Sequence, residues 1–402
     1  MRIRFSSAVS GIRYAIRELA PLARELERRG KKVIYLNIGD PLRFDFSTPR
    51  HVVDAMYRAA VDLNANYYSE SRGLLELREA IAEEESRFNG LSLSPDDVVV
   101  TQGVSEAIQF VCRVLLEEGD EVLVPSPSYP LYISMPKLVY ARPVEYRLDE
   151  GSGWVPDLDD IRGKISDRTR LIVLVNPNNP TGAVYGERII RELVDLAAEY
   201  GVPILSDEIY NRIVFEGRFV SPASVSKDLP VIVMNGFSKA FLMTGWRLGY
   251  IYMHDPSGEY REGFLENVVK LAMNRLCPNT PAQYGAIAAL RGDRSHLVDM
   301  VRRIRERVDR IMYWLDRING LEGVRPGGAF YVFPKLVLDG VVDDRDFVVR
   351  LLKEYGVFVV YGSGFGRYGA GHIRIVSLPP IDLIDEAMER IDSFIRNVLR
   401  IY

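Results

Sequence analysis

The chain has 402 residues, of which 47% are hydrophobic and 26% are charged, and its formal net charge at pH 7 is −4. This length allows about two or three domain-sized units, and the near balance of charge gives no electrostatic case for nucleic acid or an anionic membrane as a partner. No apolar stretch approaches the roughly 18 residues of a membrane-spanning helix, and the N-terminus lacks a secretory signal. Because Cys112 and Cys277 lie in apolar segments and the four histidines are far apart, we expect a cytoplasmic protein with neither a disulfide framework nor a metal site.

Continuous apolar runs predict a mostly parallel sheet, because strands covered on both faces lack the alternation of half-exposed strands. The runs are residues 98–100, 122–124, 171–175, 204–205 and 231–234, and amphipathic helices are predicted between them at 104–116 and 189–198. Further along, the pattern predicts a helix over 301–318, an extended segment at 329–333 and a final helix over 384–398. We therefore expect an α/β protein with a large domain at 55–295 and a smaller α+β domain built from 1–54, which includes an N-terminal arm, and 296–402.

Glycine and polar residues follow two of these strands, at the position where an open α/β sheet binds its ligands. After the first run, Gly103, Val104 and Ser105 form a glycine turn that opens a helix. The free N–H groups and the helix dipole suit a phosphate there, although an ordinary turn capped by Ser105 would have the same sequence. After the third run, the segment 176–182 reads Asn-Pro-Asn-Asn-Pro-Thr-Gly, which has more prolines and asparagines than a turn requires.

Charged residues follow the next two strands. Asp207 follows the fourth run, and its carboxylate would be costly to bury unless it met a positive charge. Tyr210 can reach the same space. Lys239 follows the fifth run, and a lysine in apolar and aromatic surroundings can act as an amine nucleophile toward a carbonyl. The planar guanidinium of Arg247 can donate two parallel hydrogen bonds to a phosphate. Taken alone, Lys239 could equally be a surface lysine at a helix end.

Together these residues supply a phosphate cradle, a reactive amine, a carboxylate and hydrogen bonds for a ring oxygen, which is what pyridoxal phosphate requires. The chain resembles the class I/II aminotransferases, pyridoxal-phosphate enzymes of fold type I, from about residue 34 to the C-terminal helix. The motifs that carry the resemblance are 176–182, Asp-Glu-Ile-Tyr at 207–210 and Ser-Lys-Ala-Phe-Leu-Met-Thr-Gly-Trp-Arg at 238–247. Segments 36–41, 235–239, 277–283 and 362–366 are most similar to the alanine aminotransferase-like branch.

The resemblance implies that Lys239, Asp207 and Tyr210 are the catalytic residues. Lys239 would bind the cofactor aldehyde covalently and move the α-proton of the substrate. Asp207 would keep the pyridine nitrogen protonated. Tyr210 and Asn179 would hydrogen-bond the phenolic oxygen of the cofactor, and Tyr129 would stack on its ring.

The resemblance also assigns the cofactor phosphate to a set of backbone and side-chain donors. These are Gly103, Val104, Ser105 and Arg247. Many relatives carry a phosphate-binding serine where this chain has Gly236, and Ser238 would compensate for it. Tyr68 would reach the phosphate of a neighbouring subunit, with Tyr67 as the competing choice, which implies a homodimer with shared active sites.

The α-carboxylate of the substrate would bind Arg374, assisted by Asn179 and Gly39, although a strand-end salt bridge is the other interpretation of Arg374. The implied reaction transfers an amino group from an amino acid to a 2-oxo acid, with alanine and 2-oxoglutarate as substrates. No second arginine is identified for a distal carboxylate. The alternatives are a broad-specificity or aspartate aminotransferase, a pyridoxal-phosphate-dependent lyase, and a non-catalytic regulator that binds the cofactor.

Overall fold

The computed structural model describes residues 3–338 and 343–398. Its helices are α1 Ser7–Ser10, α2 Ala15–Glu18, α3 Ala20–Arg28, α4 Arg50–Val61, α5 Leu75–Asn89, α6 Val104–Leu115, α7 Leu131–Lys137, α8 Leu158–Arg162, α9 Glu187–Glu199, α10 Pro222–Val225, α11 Arg261–Arg275, α12 Thr280–Arg291, α13 Ser295–Leu315, α14 Asp344–Tyr355 and α15 Ile381–Val398. Its strands are β1 Ile34–Tyr35, β2 Val99–Thr101, β3 Glu121–Ser126, β4 Arg142–Asp149, β5 Val155–Pro156, β6 Thr169–Val175, β7 Ile204–Asp207, β8 Val231–Gly236, β9 Gly249–His254, β10 Leu321–Glu322, β11 Tyr331–Val332, β12 Lys335–Leu336, β13 Val357–Phe358, β14 Val360–Tyr361 and β15 Ile373–Val376.

The largest sheet has eight strands in the order β2-β9-β8-β7-β6-β3-β4-β5. Strands β4, β3, β6, β7 and β8 are parallel, whereas β9 and β5 run antiparallel to their neighbours. All residues of β3, β7 and β8 are buried, as expected for strands covered by helices on both faces. The predicted α/β class and mostly parallel sheet are therefore confirmed.

Strand β9 determines the direction of β2, the edge strand of this sheet. Because β9 is antiparallel both to β8 and to β2, two reversals give β2 the same direction as the parallel strands. The end of β2 therefore meets the ends of β3, β6, β7 and β8 along one edge. The sequence pattern did not predict β9, in which tyrosines alternate with other residues, or β4, which is only partly buried.

Residues from both ends of the chain pack together beside this sheet. Strand β1 pairs in parallel with β13, with Ile34 opposite Val357, and β11, β15 and β14 form a three-stranded antiparallel sheet. Helices α14 and α15 pack through Phe347 and Phe394, whose ring centroids lie 5.2 Å apart. The domain limits stay a prediction, and residues 1–2, 339–342 and 399–402 of the predicted small domain lie outside the described residues. In the part of the chain that is described, no helix combines the length and apolarity needed to cross a membrane.

Candidate active site

The amine of Lys239 lies three residues beyond the end of β8, in a largely aromatic environment. Its Nζ donates to the carbonyl of Gly39 at 2.6 Å, and it lies 5.4 Å from the ring centroid of Phe330 and 5.9 Å from that of Tyr210. Burial lowers the pKa of Lys239 to about 8, and the negative charge of Asp40 is the largest effect that opposes the shift. A lysine with this pKa has a substantial neutral fraction near pH 8, so it can act as a nucleophile or a base.

The carboxylate of Asp207 ends β7 and is buried, with 4% of the residue surface exposed. One oxygen accepts a hydrogen bond of 2.6 Å from the hydroxyl of Tyr132, and the other accepts from the N–H of Ile209 at 3.1 Å. Burial raises the pKa of Asp207 to about 6, although both hydrogen bonds and Lys239 lower it. A cationic partner would stabilise the ionised form further, as a protonated pyridine nitrogen requires.

Gly103 precedes α6 and forms a concave turn with Arg247. Its φ of +74° is a conformation that suits glycine, and a Cβ at this position would lie 2.6 Å from Nη2 of Arg247. The N–H groups in the first turn of a helix have no partner within the helix. Val104 and Ser105 stand in that first turn, so the backbone and Arg247 can bind one anion from two sides.

Two facing glycines let β9 approach this turn closely. Gly236 pairs with Gly249 across β8 and β9. A Cβ on Gly236 would lie 2.9 Å from the backbone of Gly249, and one on Gly249 would lie 2.9 Å from the nitrogen of Val104. A serine at 236 would therefore need a shift of the backbone. Ser238 is buried nearby with 9% exposure, and its role toward the phosphate stays a prediction.

Arg374 lies in β15 and is 1% exposed. Nη1 donates to Oδ1 of Asn179 at 3.0 Å, and Nη2 donates to the carbonyl of Asn37. The guanidinium lies 4.6 Å from the ring centroid of Tyr331 and 4.9 Å from that of Phe365. Among the described residues, Nε has no hydrogen-bond partner and no carboxylate forms a salt bridge with this side chain. A buried cation without a counter-ion suits an anionic ligand, so the interpretation of Arg374 as a strand-end salt bridge has no support here.

Tyrosine side chains complete the wall of the site. The hydroxyls of Tyr129 and Tyr14 lie 3.0 Å apart, and their rings meet edge to face. The hydroxyls of Tyr210 and Tyr331 lie 2.7 Å apart. Tyr68, in contrast, is 79% exposed and Tyr67 is 54% exposed, and no side-chain hydrogen bond joins Tyr68 to another residue in 3–338 or 343–398.

The structure thus brings most of the predicted residues together at one edge of the sheet, whereas Tyr68 points to solvent. Their individual roles stay predictions. Sequence reasoning missed four neighbours that contact the site: Tyr14, Asp40, Tyr132 and Tyr331. Asp40 and Tyr331 lie within segments that were noticed, at 36–41 and 329–333, but nothing in the sequence pattern shows that these segments meet Lys239 and Arg374.

We expect Asp207→Asn to stabilise the cofactor-free protein at high pH. The folded-state pKa of about 6 lies above the usual carboxyl value of 3.8, so the carboxyl destabilises the fold increasingly as pH rises from about 4 through 6. Asparagine removes this effect. The gain in unfolding free energy, measured by urea denaturation of the apoprotein, should be about 1 kcal/mol larger at pH 8 than at pH 5. The exposed Asp195→Asn is the control, and a gain that is independent of pH would contradict the prediction.

Comparisons with known proteins agree with this geometry. The family profile described as "Aminotransferase class I and II" matches residues 31–391. Alanine aminotransferase of Mycobacterium tuberculosis is 38% identical over 93% of this chain and 88% of its own. The glutamate-pyruvate aminotransferase AlaA of Escherichia coli is 36% identical over 97% of both chains.

A solved structure of alanine aminotransferase from Pyrococcus furiosus superposes with a TM-score of 0.95 at 49% identity, covering 98% of this chain and 100% of the other. The predicted family resemblance and the fold-type I architecture are confirmed. The chain belongs to the class I and II aminotransferases and is a pyridoxal-phosphate-dependent transaminase.

Proposed function

We propose that this enzyme transfers the amino group of alanine to 2-oxoglutarate, giving pyruvate and glutamate. The observation that carries the chemistry is the convergence of an amine, a buried carboxylate and an unpaired guanidinium, supplied by Lys239, Asp207 and Arg374, at one edge of the sheet. The choice of substrates is supported by the names of the relatives, which are alanine and glutamate-pyruvate aminotransferases over nearly the whole chain.

The residues at the site fit pyridoxal phosphate. The turn at Gly103 with Arg247 suits a phosphate, because no side chain fills the space of the missing Cβ except the end of that arginine. Burial disfavours the ionised form of Asp207 and raises its pKa to about 6, so a protonated pyridine nitrogen would stabilise the carboxylate. The low pKa of Lys239 suits covalent capture of an aldehyde. Bound there, the cofactor would supply an electron-withdrawing ring that spreads the negative charge left when the substrate loses its α-proton.

In this proposal the planar guanidinium of Arg374 binds the α-carboxylate of the substrate. Asn179 accepts a hydrogen bond from this guanidinium and fixes its orientation. The amine of Lys239, once released from the cofactor, would move the proton between the α-carbon of the substrate and the aldehyde carbon of the cofactor. A positioned base of this kind contributes about 10² to 10⁴ in rate. Burial lowers the pKa of Lys239 to about 8. Near neutral pH, therefore, neither the uptake of a proton by this amine nor its release is strongly disfavoured.

The second half-reaction runs through the same residues in reverse, with a 2-oxo acid in place of the first product. Alanine carries no charge beyond the α-carbon, whereas 2-oxoglutarate carries a second carboxylate. Arg374 is the one arginine that this proposal assigns to the substrate, and recognition of the distal carboxylate stays unassigned.

We further propose a cytoplasmic homodimer in which Tyr68 reaches the phosphate of the neighbouring subunit. Seven large apolar or aromatic side chains in segments 57–68 and 273–276 are more than half exposed: Tyr57, Val61, Leu63, Tyr67, Tyr68, Met273 and Leu276. The loop that carries Tyr68 is held in place, since Thr280 donates to the carbonyl of Tyr67 at 2.8 Å. A fixed surface patch of this kind is typical of protein–protein interfaces.

Initial rates with alanine, aspartate and aromatic donors, each with 2-oxoglutarate, test the proposed substrates. Alanine should give the highest kcat/KM, with pyruvate and glutamate in equal amounts, and Lys239→Ala should lose nearly all turnover. A preference for aspartate or no preference would support the aspartate or broad-specificity alternative. Ammonia released without an oxo acid would support a lyase, and the absence of turnover with every donor would support a regulator.

Asp40→Asn should lower the pH at which the apoprotein captures pyridoxal phosphate. Only the neutral amine attacks the aldehyde, so the rate should rise with pH around the Lys239 pKa of about 8. Asp40 is the largest effect that raises this pKa, so its neutral replacement should move the midpoint downward. Stopped-flow absorbance between pH 6 and 10 measures the rate. Asp62→Asn on the exposed end of α4 is the control, and an unchanged or higher midpoint would contradict the role of Asp40.

Tyr68→Phe should weaken binding of the cofactor phosphate in the dimer. Loss of one hydrogen bond to a charged group should raise the Kd of pyridoxal phosphate about 10- to 100-fold, with sedimentation still showing a dimer. Tyr67→Phe is the matched control and should leave the Kd unchanged. If Tyr67→Phe raises the Kd instead, the two tyrosines have been assigned in the wrong order; if the protein sediments as a monomer, the shared site is wrong.

A further inference from the structure

The hydroxyl of Tyr331 has no part in the roles proposed above, yet it lies at the centre of the site. Tyr331 is in β11 and only 2% exposed. Its hydroxyl is 2.7 Å from that of Tyr210, and its ring faces the guanidinium of Arg374 at 4.6 Å. A Cβ on Gly39 would lie 2.3 Å from its hydroxyl oxygen. The hydroxyl is therefore held between three neighbours in one position.

The direction of the hydrogen bond between the two tyrosines decides what Tyr210 can do. Each hydroxyl carries one hydrogen and can also accept. If Tyr210 donates to Tyr331, it has no hydrogen left for the phenolic oxygen of the cofactor. If Tyr331 donates, the hydrogen of Tyr210 remains free for that oxygen.

The charges around the pair favour Tyr331 as the donor. Burial raises the pKa of both hydroxyls, but the positive charge of Arg374 opposes the rise most strongly at Tyr331. Tyr331 and Asp207 push the pKa of Tyr210 further upward. The stronger acid of a hydroxyl pair is the better hydrogen-bond donor, and the guanidinium lies directly on the ring of Tyr331.

We propose that Tyr331 is a positioning residue that donates its hydroxyl hydrogen to Tyr210 and thereby directs the hydroxyl of Tyr210 toward the phenolic oxygen of the cofactor. This inference rests on the role proposed for Tyr210. Hydrogen bonds in such a chain strengthen one another by about 10–30%. A stronger hydrogen bond from Tyr210 would stabilise the phenolic oxygen as an anion. The proton that this oxygen would share with Nζ of Lys239 would then be lost at a lower pH.

The test is a spectrophotometric pH titration of the bound cofactor in the holoenzyme without substrate. Tyr210→Phe should raise the midpoint of the colour change by about 1 to 2 pH units, as expected for loss of a hydrogen bond to a charged group. Tyr331→Phe should raise it by about 0.1 to 0.6 units, the share that cooperativity contributes. Adding Tyr331→Phe to Tyr210→Phe should cause no further shift, because Tyr331 acts only through Tyr210.

Tyr146→Phe is the matched control, since it removes another buried hydroxyl, which donates to the carbonyl of Val173 at 2.7 Å; its midpoint should equal that of the wild type. A lower midpoint in Tyr331→Phe would mean that Tyr210 is the donor and would overturn the inference, as would an unchanged midpoint. A further rise in the double variant would mean that Tyr331 contacts the cofactor directly, which also overturns it. If Tyr210→Phe itself leaves the midpoint unchanged, the proposed role of Tyr210 fails instead.

Discussion

The site depends on the burial of charged groups that the chain does not fully neutralise. Lys239, Asp207 and Arg374 all lie where water is largely excluded, and burial is the largest effect on the pKa of each. Desolvation disfavours the ionised form of every one of them. In the proposed roles, an anionic substrate and a cofactor with a basic nitrogen and an aldehyde would supply the missing partners. Ligands with the complementary charges offset part of the free energy that burial of these groups costs, so the site favours such ligands.

Two adjacent carboxylates, Asp207 and Glu208, lie in different surroundings at the end of β7. Side chains alternate along β7, so Glu208 lies away from Asp207 and accepts hydrogen bonds from Ser206 at 3.0 Å and Ser221 at 2.5 Å. Burial, reinforced by Glu85, raises the pKa of Glu208 to about 8. Burial and Glu85 both disfavour the ionised form of Glu208, whereas the nearby Lys239 favours the ionised form of Asp207. Adjacent acidic residues in one motif have different electrostatic roles because of the two-residue period of the strand.

The sequence was sufficient for the buried parallel strands and for the residues that follow them, but not for β4 and β9 or for the contacts between distant segments. The runs at 171–175 and 231–234 are continuous and apolar, so β6 and β8 were predictable. The position of Asp207, Lys239 and Arg247 followed from their place after such strands. Tyr132 was not predictable, because its contact with Asp207 depends on how α7 packs over the sheet. Gly236 could be noticed only as a departure from relatives, since its pairing with Gly249 is a matter of register between two strands.

The N-terminal segment sets the spacing within the site. The carbonyl of Asn37 accepts from Arg374, and the carbonyl of Gly39 accepts from Lys239. These carbonyls are two residues apart, and two residues of extended chain span about 7 Å. The segment follows β1, which is itself paired with β13. The guanidinium of Arg374 and the amine of Lys239 are therefore positioned by the same short piece of backbone. A residue larger than glycine at 39 would collide with Tyr331 and disturb this spacing. Glycine at 39 therefore lets the carbonyl that accepts from Lys239 lie beside the hydroxyl of Tyr331.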